Sequence, residues 1–515
     1  MGISIATSLY LIFSKVFLLR IRILPPSQSL MAVIPFFLTL DHILLTPFKY
    51  QNVPPPMSSF KIPLMATASH VSFKPEESGS DFCVLLDNQH CQLFKHAEAT
   101  KSPSLYATID LKPPSELIYR QLSWLNPTTL VCIAHHKVDR IDSITIFNLS
   151  HDTADIKVES VSHIHVNYNL LVCLTVTQDS RVLCQDIEGQ VFEILVKEKS
   201  CVSRMSFPTM CPWISSFRIG NEEIVYAGLN NRNKFYINNQ LISSECTSFA
   251  VHDQYLILTT LSHTARFLDR KLCLDAFKVS DKEPSAMDEK IRRVEMGSKI
   301  VAVTPGDIKL VLQMPRGNLE TVYPRALVLS RFRSDLSNLK FREAFLACRK
   351  NRIDLNLMID FDPALFSKHS LDVLKQIDEP DFINLLISSL RNEDVTKTMY
   401  SLGDALSETA YIDKVNPVCR MLREALELIH PDRYLNSILT TYAKQSPPDL
   451  ESAMRRIFKL KQTKSVEAAE QALKYLIFLA DVNKLYDVAL GMYDFPLVLM
   501  VAQHSQKVHL VYIYM

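Results

Sequence analysis

The chain has 515 residues, 47% of them apolar, so it can bury two or three separate hydrophobic cores. Its 56 Lys and Arg residues against 55 Asp and Glu residues leave a net charge of +1, which excludes a global field steering the chain toward nucleic acid or an anionic membrane. Among only ten glycines, the closest pair is Gly220 and Gly228. Because phosphate-binding loops need clustered glycines, dinucleotide-binding and Walker-type loops are excluded.

Eleven cysteines are scattered along the chain, and no two of them form a CxxC pair. They stand at positions 83, 91, 132, 173, 184, 201, 211, 246, 273, 348 and 419. An odd number at irregular spacing fits neither a zinc site nor a disulfide framework. We therefore expect reduced thiols in the core of a cytosolic protein.

Two strongly apolar runs, Leu9 to Leu24 and Leu30 to Leu45, open the chain. Lysine and arginine residues interrupt the first run, and Asp41 interrupts the second, so neither reaches the ~18 uncharged apolar residues of a membrane-spanning helix. Three consecutive prolines at positions 54 to 56 then form a stiff, extended segment. We predict an atypical apolar leader over residues 1–53 with no clear membrane association.

Short apolar segments separated by turn residues follow. FCVLL at Phe82 to Leu86 and CQLFK at Cys91 to Lys95, for example, flank a turn-forming Asp-Asn-Gln sequence, which predicts a hairpin. The recurrent hairpins carry an aromatic residue in one strand, at Phe94, Phe192, Phe235 and Phe267. Hairpins at this density are typical of radial blades. We predict a partial WD-type β-propeller over residues 54–325, with a β-sandwich as the alternative.

The spacing of apolar residues changes from strand-like to helical between Val301 and Phe345. Downstream, amphipathic helical segments are separated by short prolyl breaks, and Asn416 followed by Pro417 is typical of a helix cap and first turn. One helix is predicted to bury a stripe formed by Phe382, Leu385, Leu386 and Leu390. Helix pairs in succession stack as a solenoid, so residues 326–515 are predicted to begin a tetratricopeptide-like α-solenoid.

Several long sequence blocks carry a family resemblance. They include SFAVHDQYLILTTLSHT from Ser248, QMPRGNLE from Gln313, FREAF from Phe341 and RIDLNL from Arg352. Together these blocks resemble the largest scaffold subunit of Elongator, the complex that modifies wobble uridines in transfer RNA. The resemblance spans about Pro54 to Lys507. It implies that the strands form the end of the second of two N-terminal propellers and that the helices open a long solenoid.

The resemblance also implies a function. In that family the subunit is not catalytic, and it holds a radical-SAM and acetyltransferase-like catalytic subunit together with a propeller-type companion. The family location is the cytoplasm, with the nucleus as a second site. The first propeller, the homodimerisation region and the basic stretch associated with transfer RNA are expected to be missing, so contact with transfer RNA is expected to be indirect. A scaffold of a vesicle-coat or trafficking complex has the same design and is the alternative.

Candidate sites for chemistry are few. GxSxG, HExxH and kinase signatures are absent, so we predict no enzyme, no catalytic residue and no cofactor. His163 and His165 would share one face of a strand, but no further ligand stands at a suitable spacing, and His135 and His136 would face opposite ways. We therefore predict no metal site. A basic series is the candidate surface for RNA or partner contact: Arg331, Arg333, Lys340, Arg342, Arg349, Lys350 and Arg352.

Overall fold

The computed structural model divides the chain into two compact units, residues 1–327 and residues 328–515. It describes residues 36–38, 42–45, 60–73, 81–95, 104–150, 156–166, 170–177, 180–219, 223–270, 289–303, 308–315, 318–400, 413–463 and 465–504. Most of the predicted leader, as well as Cys273, lies outside these ranges. The first unit is built from strands and the second from helices.

The strands of the first unit form antiparallel sheets in which each strand pairs with its neighbour in sequence. The first sheet is β1 (Phe36–Leu38), β2 (His42–Leu45) and β3 (Phe60–Pro63), and the second is β4 (Ala68–Phe73), β5 (Phe82–Leu86), β6 (His90–Lys95) and β7 (Ser104–Asp110). The third is β8 (Leu117–Asn126), β9 (Thr129–His136), β10 (Asp142–Leu149) and β11 (Val158–His165), and the fourth is β12 (Leu171–Val176), β13 (Val182–Asp186), β14 (Gln190–Leu195) and β15 (Ser200–Ser206). The fifth is β16 (Trp213–Ile219), β17 (Glu223–Leu229), β18 (Phe235–Ile237) and β19 (Gln240–Ser243). The sixth is β20 (Cys246–Val251), β21 (Tyr255–Thr260), β22 (Thr264–Asp269) and β23 (Ile291–Arg293), and the seventh is β24 (Lys299–Val303), β25 (Leu310–Gln313) and β26 (Leu319–Val322).

Seven small sheets of three or four strands in the described part of the chain are the blades of a propeller. A β-sandwich would require two large facing sheets, so that alternative is wrong. The hairpin predicted around residues 87–89 is confirmed, since Phe82 pairs with Phe94 across it and their rings stack at 5.0 Å.

An aromatic residue recurs on the third strand of successive blades. Phe94, Phe147, Phe192, Phe235 and Phe267 occupy the third strands of the second to sixth sheets, and all five are fully buried. Four of these were recognised from sequence. A large ring at the same place in each of these blades fills the space between neighbouring sheets, because each pair of neighbouring blades repeats the same arrangement.

Hydrogen bonds from side chains connect the blades. The Oγ of Ser72 in β4 accepts from the backbone N–H of Trp124 in β8 at 3.0 Å. The side-chain amide of Gln121 in β8 both donates to the carbonyl of Leu174 in β12 and accepts from its N–H, each at 3.1 Å. The Oγ of Ser248 accepts from the N–H of Ile300 at 2.7 Å in the same way. The first strand of a blade therefore has backbone groups satisfied by a neighbouring blade.

Asp142 is the most deeply buried of these connecting side chains, with no exposed side-chain surface. It lies in β10 and accepts from the backbone N–H of Leu171 in β12 at 2.6 Å, from the Nδ1 of His135 at 2.9 Å and from the guanidinium of Arg120. Arg120 also donates to the carbonyl of Leu171 at 3.1 Å. One carboxylate thus joins three strands of the third blade to the first strand of the fourth.

The described part of the second unit consists of helices. They are α1 (Arg325–Ser337), α2 (Phe341–Asn351), α3 (Leu357–Asp360), α4 (Pro363–Lys368), α5 (Ser370–Ile377), α6 (Pro380–Ser389), α7 (Val395–Thr398), α8 (Val415–Ile429), α9 (Leu435–Lys444), α10 (Leu450–Thr463), α11 (Val466–Leu479), α12 (Val482–Gly491) and α13 (Phe495–His504). The longer helices pack on their sequence neighbours and on helices further along, such as α2 on α5, α5 on α8 and α9 on α11. This succession is the packing of an α-solenoid, and the predicted order of propeller then solenoid is confirmed.

One local prediction in the solenoid is confirmed only in part, and one is wrong. Of the predicted stripe on α6, Leu386 and Leu390 are buried, but Leu385 is 43% exposed, and Ile383 and Ile387 are fully buried beside them because the apolar residues of this helix form two overlapping stripes. Asn416 does not cap its helix. It lies inside the first turn of α8 and exchanges hydrogen bonds with the backbone of Ser446, while the Oδ1 of Asn392 accepts from the first free N–H groups of the helix.

Replacing Asp142 with alanine is expected to destabilise the propeller unit by about 2–3 kcal/mol, since it leaves a buried N–H and a guanidinium without their charged acceptor. Both tryptophans of the chain, Trp124 and Trp213, lie in strands of this unit, so tryptophan fluorescence during urea unfolding reports on it alone. Asp139→Ala is the matched control, because Asp139 is exposed in the adjacent turn. Equal midpoints for the two variants would contradict the role of Asp142.

Candidate interaction surfaces

One end of the propeller gathers two kinds of loop. In each four-stranded sheet the turn between the second and third strands lies beside the segment that leads into the first strand. Backbone hydrogen bonds join the two, for example from Lys137 N to Glu116 O and from Leu261 N to Glu245 O, both at 2.8 Å. Neighbouring first strands run in the same direction, as the successive bonds of Arg120 and Gln121 to β12 show. These loops therefore share one end, which we call the loop end.

Exposed apolar side chains concentrate at the loop end. Of the eleven large apolar side chains that are exposed among the described residues of the propeller unit, eight lie there. They are Met65, Ile118, Val138, Ile187, Met210, Trp213, Leu261 and Met296. Val138 and Met296 are each 71% exposed, and Trp213 is 50% exposed. Apolar residues gathered in this way on one surface, rather than scattered singly, are typical of a protein-binding site.

The charges of the loop end are mixed. Its described loops carry six acidic residues, Asp87, Glu116, Asp139, Glu188, Glu245 and Glu295, and five basic residues, Lys112, Lys137, Arg140, Arg232 and Lys234. A surface that binds nucleic acid presents clustered Lys and Arg to the phosphates. With acids more numerous than bases, the loop end suits an apolar protein surface better than an RNA backbone.

The structure gives several members of the basic series partners within the chain. The guanidinium of Arg331 lies 3.0 Å from a carboxylate oxygen of Asp335. Arg342 donates to the carbonyl oxygens of Gln376 and Ile377, at 3.1 and 2.7 Å. These two side chains therefore hold helices in place in addition to presenting charge.

The other five members of the basic series lie in α1, in α2 or at the ends of α2. Arg349 stacks on the ring of Phe382, with its guanidinium carbon 4.5 Å from the ring centroid. Arg352 ends the helix in the left-handed conformation. Arg333 lies in α1, Lys340 is exposed just before α2, and Lys350 is exposed in its last turn. Arg331 and Arg333 thus lie on α1, and the other five residues lie on α2 or at its ends.

The histidines singled out from sequence lie together in the third blade. His163 and His165 share a face of β11, and the ring of His136 lies 6.3 Å from that of His165. The Oγ1 of Thr145 hydrogen-bonds the Nδ1 of His163, and burial, followed by the two neighbouring imidazoles, lowers the pKa of His163. Sequence spacing could not show that His136 joins the pair. Within the described ranges, no three His, Cys, Asp or Glu side chains are arranged to hold a metal ion.

The cysteines lie inside the cores. Of the ten that the structure describes, all are free thiols and nine are buried. Burial raises the pKa of Cys173 and Cys246 to about 12, and it raises that of Cys132 further above the ordinary value. A thiol held neutral in an apolar core is a poor nucleophile, so these residues serve as packing groups.

Two family models match the chain side by side. The ELP1 N-terminal second beta-propeller model matches residues 41–301, and the ELP1 alpha-solenoid model matches residues 325–514. The chain belongs to the ELP1 family. Both ELP1 models describe structural domains, and neither describes a catalytic one.

Curated relatives agree with the ELP1 assignment. Elongator complex protein 1 of Oryctolagus cuniculus is 34% identical over 526 residues, which cover 91% of this chain and 39% of the relative. The proteins of the same name in Schizosaccharomyces pombe and Saccharomyces cerevisiae are 32% and 31% identical, and each match covers 90% of this chain and 37% of the relative. The ELP1-family chain therefore spans about two-fifths of the length of these relatives. The vesicle-coat alternative is not favoured by these matches.

No helix in the described ranges of this ELP1-family chain combines the length and the apolar character needed to cross a bilayer.

Cys201 is expected to react with iodoacetamide first among the ten described cysteines of the folded chain, because it is the one that is partly exposed. Burial raises the pKa of its thiol, so the labelling rate should keep rising as the pH increases above 9. Peptide mass mapping after timed alkylation measures each site separately. Labelling of Cys132 or Cys184 at the rate of Cys201 would contradict the buried positions, and Cys201→Ser should remove the fast signal.

Proposed function

We propose that this chain is a non-catalytic scaffold part of Elongator and supports the modification of wobble uridines in transfer RNA. Its membership of the ELP1 family is the observation that carries the proposal, because the matched models cover both the propeller and the solenoid. The structure supports it with an apolar surface at the loop end and an extended succession of helices, both of which suit the binding of other proteins.

The partners we propose are the radical-SAM and acetyltransferase-like catalytic subunit and the propeller-type companion subunit. The assembled complex would act in the cytoplasm and also in the nucleus. A scaffold of this kind contributes to catalysis by positioning other subunits, since the reacting groups belong to them. The chain itself needs no cofactor for that role.

Transfer RNA is proposed to meet this part of the scaffold indirectly. Arg331, Arg342 and Arg349 are each engaged by neighbouring residues of the solenoid. The basic series is then better suited to local contact with an acidic protein surface than to a long phosphate backbone, which requires a continuous run of cations. Lys340 and Lys350 are the exposed lysines of the series for such a contact.

Co-purification tests the proposal. When tagged full-length chain is expressed with the other Elongator subunits, the catalytic subunit or the propeller-type companion should remain bound after washing. Charged substitutions at the loop end, Met210→Glu with Trp213→Glu, should reduce the retained subunit by at least about tenfold, because a buried carboxylate in an apolar interface costs more than 1.4 kcal/mol.

The control is Leu241→Glu, which places a carboxylate on an exposed leucine of β19, next to the turn at the opposite end of a blade. It should retain the partner as the unmodified chain does. Failure of the unmodified chain to retain any Elongator subunit would overturn the scaffold proposal. Equal loss with Leu241→Glu would overturn the role of the loop end.

A further inference from the structure

A cavity of about 400 Å³ lies within the helical unit. It is lined by the end of α3, by α4, by the residues leading into α7 and by the start of α8. Its size is in the range of pockets that bind small molecules or peptide side chains. Because four separate segments of the sequence converge on it, no local pattern could reveal it.

One wall of the cavity is apolar. Phe366 of α4 and Val418 of α8 are buried, and Met421 lies one turn further along α8 and is half-buried. The two prolines Pro363 and Pro417 stand at the starts of their helices and stiffen the same wall. This wall offers aliphatic and aromatic surface to a side chain with an apolar stem.

A buried ion pair forms the floor. The Nζ of Lys414 lies 2.9 Å from each carboxylate oxygen of Asp360 and donates to the carbonyl of Glu393 at 2.6 Å. Asp360 also accepts from the N–H of Val395 at 2.9 Å. An ammonium group has three N–H donors, and all three of them have acceptors here. Lys414 therefore has no donor left for an incoming anion.

The remaining charge of the lining is negative. Glu393, Asp394 and Asp413 line the cavity in addition to the ion pair, and Lys414 is the only base among its lining residues. Four carboxylates and one ammonium give the lining a formal charge of −3. The Oδ1 of Asp394 caps α7 by accepting from Thr396 N at 3.0 Å, and its Oδ2 lies 3.5 Å from the Nζ of Lys397, so this carboxylate is already partnered and Glu393 and Asp413 supply the remaining negative charge. Asp413 is exposed at the entrance.

We infer that this cavity binds an arginine or lysine side chain, with a neighbouring apolar residue, from a segment of a partner protein. The aliphatic stem of the basic side chain would lie against Phe366, Val418 and Met421, and its cationic head would meet Asp413 and Glu393. A protein segment is the occupant because the inference rests on the proposed scaffold function, in which other subunits are held by this chain.

Other ligand classes fit the cavity less well. A phosphate group would meet the carboxylates of Glu393 and Asp413 and a lysine whose donors are already used, so repulsion disfavours nucleic acid and nucleotides. A metal ion needs several converging ligands, and the described residues contain no such group of three. A cationic side chain needs no fixed coordination geometry, only nearby negative charge and an apolar wall for its stem.

The test titrates the full chain with two blocked dipeptides, acetyl-Leu-Arg-amide and acetyl-Leu-citrulline-amide, and follows binding by saturation-transfer difference NMR. Citrulline has the shape of arginine without its charge. The arginine peptide should bind about tenfold more tightly, because its positive charge meets the carboxylates of Glu393 and Asp413. Equal binding of the two peptides, or no binding of either, would overturn the inference.

Substitutions in the lining test whether the arginine peptide binds in this cavity. Asp413→Asn should weaken the arginine peptide by about two- to fivefold, and Ser367→Lys, which adds a cation to the lining, should weaken it further. Glu424→Gln, on the exposed face of α8, is the matched control and should leave binding unchanged. An affinity for the arginine peptide that neither Asp413→Asn nor Ser367→Lys changes would overturn the inference.

Peptide binding and co-purification test the cavity and the scaffold proposal separately. A chain that retains Elongator subunits but shows no preference for the arginine peptide overturns the cavity alone. A chain that binds the arginine peptide in the cavity but retains no Elongator subunit overturns the scaffold proposal and, with it, the assignment of the occupant to a partner subunit.

Discussion

The propeller depends on side chains that satisfy the backbone of the next blade. A blade of three or four strands leaves unpaired N–H and C=O groups along its first strand, and such groups are costly when they are buried. Here Gln121 bonds both backbone groups of Leu174, and Asp142 bonds the N–H of Leu171. Gln185 does the same for Cys211, with its Oε1 accepting from the backbone N–H at 2.7 Å. These contacts fix how each blade faces the next.

That arrangement determines which surface remains for binding. Because the blades are fixed in parallel orientation, the loops before the first strands and the turns between second and third strands meet at one end. Apolar side chains such as Trp213 and Met296 are exposed there, although the same chain buries nearly every aromatic residue of its third strands. Apolar residues on exposed loops are best explained by a partner protein that covers them.

The sequence predicted the parts of the fold that depend on local pattern. The strand Phe82–Leu86 was located to the residue, because its apolar run is short, is followed by turn residues and faces a second such run in a hairpin. The stripe on α6 was predicted in part: Leu386 and Leu390 are buried, whereas Leu385 is exposed and Ile383 is buried instead, a choice that only the neighbouring helices make. The cap of α8 was also misassigned, because its acceptor is Asn392, more than twenty residues earlier.

The surfaces could not be predicted in the same way. The loop end collects residues from blades far apart in sequence, and the cavity of the solenoid combines Asp360 with Lys414, whose contact spans 54 positions. The basic series was visible in the sequence, but its engagement by Asp335, Gln376 and Phe382 was not. The change in apolar spacing already gave the order of the two domains, whereas only the family resemblance indicated the kind of complex to which they belong.

Hydrogen–deuterium exchange of the chain alone and in the reconstituted Elongator complex shows whether the loop end of the propeller is a surface for another protein. Slower exchange on assembly is expected in residues 207–212 and 294–298, which carry Met210 and Met296, with unchanged exchange in the turn at residues 238–239. Unchanged exchange at the loop end, or protection confined to the opposite turns, would contradict this expectation.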